Sequence, residues 1–203
     1  KAIAGIDAAL WDVKAKALGV PVYELLGGPT RDRVRVYWSH CGTTRAVYGS
    51  LLRTPPIRTM EDIAKLGRLV VERGFTALKT NIVMPGDPAT VMMQGFGGGY
   101  GTTDLNISTA VVRHVERLIG TFREAVGDEV EICLDLNFNF KTEGFMRIAK
   151  ALEPYNLFWL EIDTYDPQAL LQIKESTSTR ISYGENLYTA RDYRPLLELH
   201  AMH

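Results

Sequence analysis

Cysteine is scarce, with Cys41 and Cys133 the only two in 203 residues. Two thiols cannot build a disulfide framework or a cysteine-based zinc site, and they fit a reducing interior. No uninterrupted apolar run approaches the roughly 18 residues of a membrane span. An excess of charge of one sign is also lacking. The formal net charge is −1, so no global field draws the chain to nucleic acid or to an anionic membrane. The opening stretch, KAIAGIDAALWDVKAKALG, holds Asp7 and Asp12 among its apolar residues, unlike the uncharged core of a secretory signal. Cytoplasm is therefore the expected compartment, with neither nucleic acid nor membrane as a partner. The balance of 46% hydrophobic and 23% charged residues is that of a globular domain.

Residues 2–18 repeat Ile3, Ile6, Leu10, Val13 and Ala17 at helical spacing, with Gly19 as a stop and Pro21 opening a short turn. From Val34 the pattern changes to short apolar runs alternating with amphipathic stretches. Strands are predicted at VRVYWSH, FTALKTNIV, VEICLDLN, LFWLEID and RISYGEN. Helices are predicted over 61–73, 108–126, 142–153, 167–176 and 190–200. Such alternation predicts parallel strands joined by right-handed crossovers. One segment breaks the rhythm: residues 83–107 read as a long loop, a candidate active-site cover. Its GFGGGYG run lies too far after the strand to be a dinucleotide fingerprint.

Three acids hold equivalent places, Asp135 in CLDLN, Glu161 in WLEID and Glu185 in YGEN, at intervals of 26 and 24 residues. A strand, a helix and two short loops together take roughly 25 residues, one βα unit. Parallel strands deliver their last side chains to the loop face, where active sites of such proteins gather. Alternation puts Asp135 on one side with Cys133 and Asn137, Glu161 with Trp159 and Asp163, and Glu185 with Tyr183. Three carboxylates brought to ~4 Å repel by about 4 kcal/mol per pair at an effective dielectric near 20, roughly 12 kcal/mol in all. A hard dication among them, Mg²⁺ above all, relieves that cost. Lys79, near the end of the second strand with Asn81 on its side, belongs to the same layer and requires an anionic partner there. His40 follows the first strand and can reach the mouth. His114 is expected to face solvent from its helix, and His200 and His203 carry no signal. Trp11 and Trp38 read as core or interface aromatics.

At these residues the chain resembles the enolase superfamily, in its mandelate racemase and muconate lactonizing enzyme branch. AIAGIDAALWDVKAKALGVPVYELLGG is similar to the helical segment joining that family's capping domain to its barrel. LDLN, LEID and GEN match its metal ligands on the third to fifth strands. The resemblance implies residues 1–30 as the end of a helical capping domain and 31–203 as part of a TIM-type (β/α)8 barrel. It implies one Mg²⁺ on Asp135, Glu161 and Glu185, a small-molecule carboxylate substrate losing its α-proton, an enediolate, and a homo-oligomeric parent protein.

Departures narrow the reading. Many relatives carry Lys-x-Lys on the second strand, whereas this chain has Lys79-Thr80-Asn81, and asparagine cannot take a proton. The Lys-x-Asn form resembles galactonate-type sugar-acid dehydratases. Some of these place a histidine acid where Asn137 stands, so Asn81 and Asn137 are expected to hydrogen-bond substrate hydroxyls. The usual Glu-Glu-Pro becomes Glu161-Ile162-Asp163. A full barrel has eight units in about 250 residues, and five are counted here, so an incomplete chain is expected. The expected activity of the parent is sugar-acid dehydration of a hexonate or aldarate. A racemase, epimerase or cycloisomerase is the alternative on the same platform, and a fragment that only folds or binds metal is a third.

Overall fold

The computed structural model describes residues 2–93 and 105–203, which fall into two compact units, Lys1–Arg35 and Val36–His203. In the first unit, helix α1 (Ala2–Leu18) ends at Gly19, whose φ of 68° suits glycine, and a single turn, α2 (Val22–Leu25), follows Pro21. Ala15 is its buried apolar residue, while Ile3, Ile6, Leu10 and Val13 lie exposed along α1.

In the second unit, helices and strands alternate: α3 (Thr43–Leu52), α4 (Met60–Glu72), β1 (Ala77–Thr80), β2 (Val83–Met84), β3 (Thr90–Val91), α5 (Thr109–Val126), β4 (Glu131–Asp135), α6 (Thr142–Ala151), β5 (Trp159–Glu161), α7 (Pro167–Glu175), β6 (Ile181–Ser182) and α8 (Ala190–Glu198). Strands β1, β4, β5 and β6 form one parallel sheet in that order, with the crossover helices between them. Local chemistry starts the helices. Thr59 with Asp62 and Thr189 with Asp192 form capping boxes on α4 and α8, and the Ser108 and Asp166 side chains accept from backbone N–H groups on α5 and α7.

The register divides the strand residues between two sides. Leu78 pairs with Ile132, and Leu134 with Leu160 and on to Ile181; all are buried with Ile63, Leu66, Leu118, Phe122, Ile148 and Ile173 of the helices. Lys79, Cys133 and Trp159 stand level with one another in the alternate layer, and Asp135, Glu161 and Ser182 form the layer beyond. This is part of a βα-barrel of the TIM type, the apolar side of its four-stranded sheet turned to the helices and its polar side chains gathered toward the carboxyl ends of the strands.

Four sequence expectations change. The predicted first strand is reduced to a single bridge, Trp38 to Leu78, although its hydrogen bonds run in parallel fashion (Trp38 N–H to Ala77 O at 3.0 Å, Lys79 N–H to Trp38 O at 2.9 Å). Helix α3 was not foreseen. Part of the predicted 83–107 loop is an antiparallel ribbon, β2 against β3, and the GFGGGYG run lies outside the described residues. His114 is buried rather than turned to solvent, its Nε2 2.8 Å from Val83 O at the root of that ribbon. The turn after β4 holds both flanks of residues 94–104: Asn139 Nδ2 donates to Met92 O at 2.8 Å, and Lys141 N–H to Leu105 O at 3.2 Å.

Candidate metal and substrate site

At the carboxyl edge of the sheet, β1 brings Lys79 up beside the ends of β4 and β5. Its Nζ donates to Glu161 Oε2 at 2.7 Å and to Asp135 Oδ2 at 3.1 Å. Burial opposes the ammonium, but the Glu161 hydrogen bond and the charges of Asp135 and Glu161 outweigh it and hold the lysine pKa above its ordinary value. Lys79 is thus a fixed cation.

Asp135 is held on its other oxygen. Asn137, in left-handed conformation with φ 51°, donates its backbone N–H (3.0 Å) and its Nδ2 (2.9 Å) to Asp135 Oδ1, an Asx turn at the strand exit. Asn81 donates Nδ2 to Asn137 Oδ1 (3.2 Å) and to Asp135 O (3.3 Å), and its Oδ1 accepts from Thr43 Oγ1 at 2.8 Å. Both amide hydrogens of Asn81 are therefore committed inside the protein, whereas Asn137 Nδ2 makes one donation, to Asp135, among the described residues.

Glu161 lies level with Asp135, and its carboxyl is pushed up by burial and by repulsion from Asp135, against the pull of Lys79, with Glu185 adding to the rise. Glu185 sits three residues beyond β6, past Gly184 with its φ of 136°, and is exposed. Ser182 is the β6 residue level with Glu161. His40 is exposed and bonds to its neighbour, with Nδ1 2.9 Å from Ser39 Oγ. The structure thus joins Lys79, Asn81, Asp135, Asn137 and Glu161 by direct contacts, brings Glu185 within electrostatic reach, and leaves His40 apart.

Asp163 was absent from the predicted site, although its place on one side with Glu161 was the signal. It is 2% exposed, and Asn186 Nδ2 donates to its Oδ1 at 3.3 Å. Burial, then the charges of Glu185, Asp135 and Glu161, push its carboxyl up to about 7. Cys133, one layer below the acids, is held as a thiol near 12 by burial, as is Cys41.

These residues fit a hard dication in kind. Every donor is a carboxylate or amide oxygen, two carboxylates share the Lys79 ammonium while Glu185 and Asp163 lie within electrostatic reach of them, and a buried Asp163 oxygen has no hydrogen-bond partner among the described residues. Among the described residues no three His, Cys, Asp or Glu side chains are gathered as ion ligands as they stand, and the Lys79 ammonium occupies the contact between Asp135 and Glu161. Among them, too, no helix is long and apolar enough to cross a membrane.

Sequence and fold comparisons agree on the class. The family model described as enolase C-terminal domain-like matches residues 61–203, and that of the mandelate racemase / muconate lactonizing enzyme N-terminal domain matches residues 1–27. The chain belongs to this family, the mandelate racemase and muconate lactonizing enzyme branch of the enolase superfamily. It is 33% identical to a D-galactonate dehydratase family member of Chromohalobacter salexigens, over 97% of this chain and 48% of that one. It is 34% identical to a D-gluconate dehydratase of Thermoproteus tenax, over 94% of this chain and 33% of that one. Among solved structures, a Burkholderia xenovorans protein provisionally named an L-alanine-DL-glutamate epimerase, bound to magnesium and fumarate, superposes with a TM-score of 0.89 at 39% identity, over 97% of this chain and 49% of that one. The chain thus spans about half the length, or less, of the relatives it matches.

Proposed function

We propose that the protein carrying this chain is a Mg²⁺-dependent dehydratase of a sugar acid, a hexonate or an aldarate. The observation that carries this reading is the Lys79 bridge between Asp135 and Glu161 at the strand ends, flanked by the Asn81–Asn137 amides. Similarity to named sugar-acid dehydratases supports it.

Asp135, Glu161 and Glu185 would hold the ion. When bound, Mg²⁺ supplies positive charge against the substrate carboxylate and so favours loss of the neighbouring α-proton. Lys79 orients Asp135 and Glu161 through its two hydrogen bonds, and as a fixed ammonium it holds its proton rather than accepting one. Asn81 positions Asn137, whose remaining amide hydrogen is directed to a substrate hydroxyl. The proton acceptor lies outside this cluster. Dehydration would be completed when the β-hydroxyl leaves as water, taking a proton returned by the group that accepted the α-proton, and the resulting enol tautomerises to the 2-keto-3-deoxy acid.

The provisional name of the Burkholderia protein supports a second reading, an epimerase or racemase on the same enediolate platform. Incubating the intact protein with a sugar-acid panel and Mg²⁺ in D₂O separates the two. Dehydration gives 2-keto-3-deoxy products. Deuterium at the α-carbon without loss of water gives the epimerase, and neither outcome across the panel removes both. A cytoplasmic, homo-oligomeric protein is part of the same proposal, the two buried thiols supporting the compartment.

A further inference from the structure

Asp163 is a carboxyl that the fold alone does not account for. Its backbone N–H reaches Asn137 O at 3.4 Å, and its Oδ1 accepts from Asn186 at 3.3 Å, both long hydrogen bonds. Oδ2 is buried and has no hydrogen-bond partner among the described residues. The carboxylates that act on it are Glu185, Asp135 and Glu161, all of its own sign. The nearby cation does not answer it, because Lys79 is committed to Asp135 and Glu161. A buried structural carboxylate is kept where it is paired; here the neighbours repel it and one oxygen is idle. Asparagine would keep the Oδ1 acceptor and present a donor to the surrounding carboxylates. Stability by itself therefore favours the amide, and a residue that works against stability at a strand exit marks a site.

We infer that Asp163 is a fourth carboxylate of the cation site, its Oδ2 taking the divalent ion or a water bound to it. The inference rests on the proposal that Asp135, Glu161 and Glu185 bind Mg²⁺, and it extends that set by the acid two residues beyond Glu161. It gives the idle oxygen a partner and balances charge that Lys79 leaves uncompensated.

Titrating the intact protein with Mg²⁺ by calorimetry, beside thermal unfolding without metal, tests it on the wild type, Asp163→Asn, Asp163→Ser and Glu185→Gln. Asp163→Asn is expected to weaken Mg²⁺ binding by about ten- to a hundred-fold, in the range seen when groups supporting metal ligands are removed. Its metal-free melting temperature is expected to equal or exceed that of the wild type. Asp163→Ser, which removes the charge without adding an amide, is expected to lose affinity similarly. Wild-type affinity in either variant, with binding lost in Glu185→Gln, overturns this inference and leaves the three-ligand reading standing. A lowered metal-free melting temperature in Asp163→Asn assigns the residue to the fold and also overturns it. No Mg²⁺ binding by the wild type overturns both.

Discussion

Lys79 and Glu161 meet at 2.7 Å although they stand on strands that are not neighbours, with β4 between β1 and β5. A lysine long enough to cross the intervening strand collects a carboxylate from each of the next two strand ends. The polar layer is thereby tied together before any ligand arrives.

Removing that cation leaves the buried Asp135 and the part-buried Glu161 facing each other. Lys79→Met is expected to destabilise the protein by about 3–5 kcal/mol in denaturant titration without metal, the usual cost of breaking a buried pair on one side. Added Mg²⁺ is expected to raise the melting temperature of the variant more than that of the wild type. Equal shifts would show that ion and lysine do not share these acids.

Thr43 is the hydroxyl behind the amide network, buried and 2.8 Å from Asn81 Oδ1. Thr43→Val keeps the shape and removes the donor. Stability is expected to fall by about 1–3 kcal/mol, the cost of leaving a buried acceptor unsatisfied. Slower turnover on the same substrate should accompany it, since Asn81 then fixes Asn137 less well. Chemical denaturation read with steady-state kinetics checks both.

Glu153 gives a pH dependence far from the site. Its side chain accepts from Ser178 N–H at 2.8 Å and Thr177 Oγ1 at 3.1 Å, and pairs with Lys150 at 2.8 Å. The Lys150 hydrogen bond, then that of Ser178, hold its carboxyl down near 2. A depressed carboxyl contributes stability above its unfolded value, near 4.5, that is lost as pH falls toward 2. Glu153→Gln is expected to flatten that part of the acid-unfolding curve while leaving stability at neutral pH lower than in the wild type. Melting temperatures between pH 2 and pH 7, about the span of carboxylate titration, test this.

Gly184 sets the approach of Glu185. Its φ of 136° is a region that side chains rarely enter, and an added Cβ would lie 3.0 Å from Tyr193 Oη, which donates to Gly184 O at 3.1 Å. Gly184→Ala is expected to cost about 1–3 kcal/mol, as strained backbone positions do. Mg²⁺ affinity should drop with it, whereas Gly74→Ala, in open space and also at positive φ, should cost stability alone.

Sequence made the alternation legible because long crossover helices carry strong apolar periodicity, and α1, α4 to α8 stand within two residues of their predicted bounds. Helix α3 was illegible because Val47 and Leu51 are exposed, so no buried stripe repeats along it. Two-residue strands such as β2 and β3 are too short to alternate at all. His114 was misread, yet it lies between Val111 and Leu118 at helical spacing, on the face α5 buries. In the site, the acids announced themselves at strand ends. The Lys79 cross-strand reach and the commitment of Asn81 to Thr43 depend on register and on a helix that the sequence did not reveal. Asp163 was hidden for a different reason: an acid with one idle oxygen looks, in a sequence, like any other acid.

The turn after β4 has a second consequence. It pins the chain on both flanks of residues 94–104, through Met92 and Leu105, and it carries Asn137 as well. One short turn thus ties Asn137 of the site to the segments on either side of that stretch, so a substitution at Asn139 is expected to be felt at both.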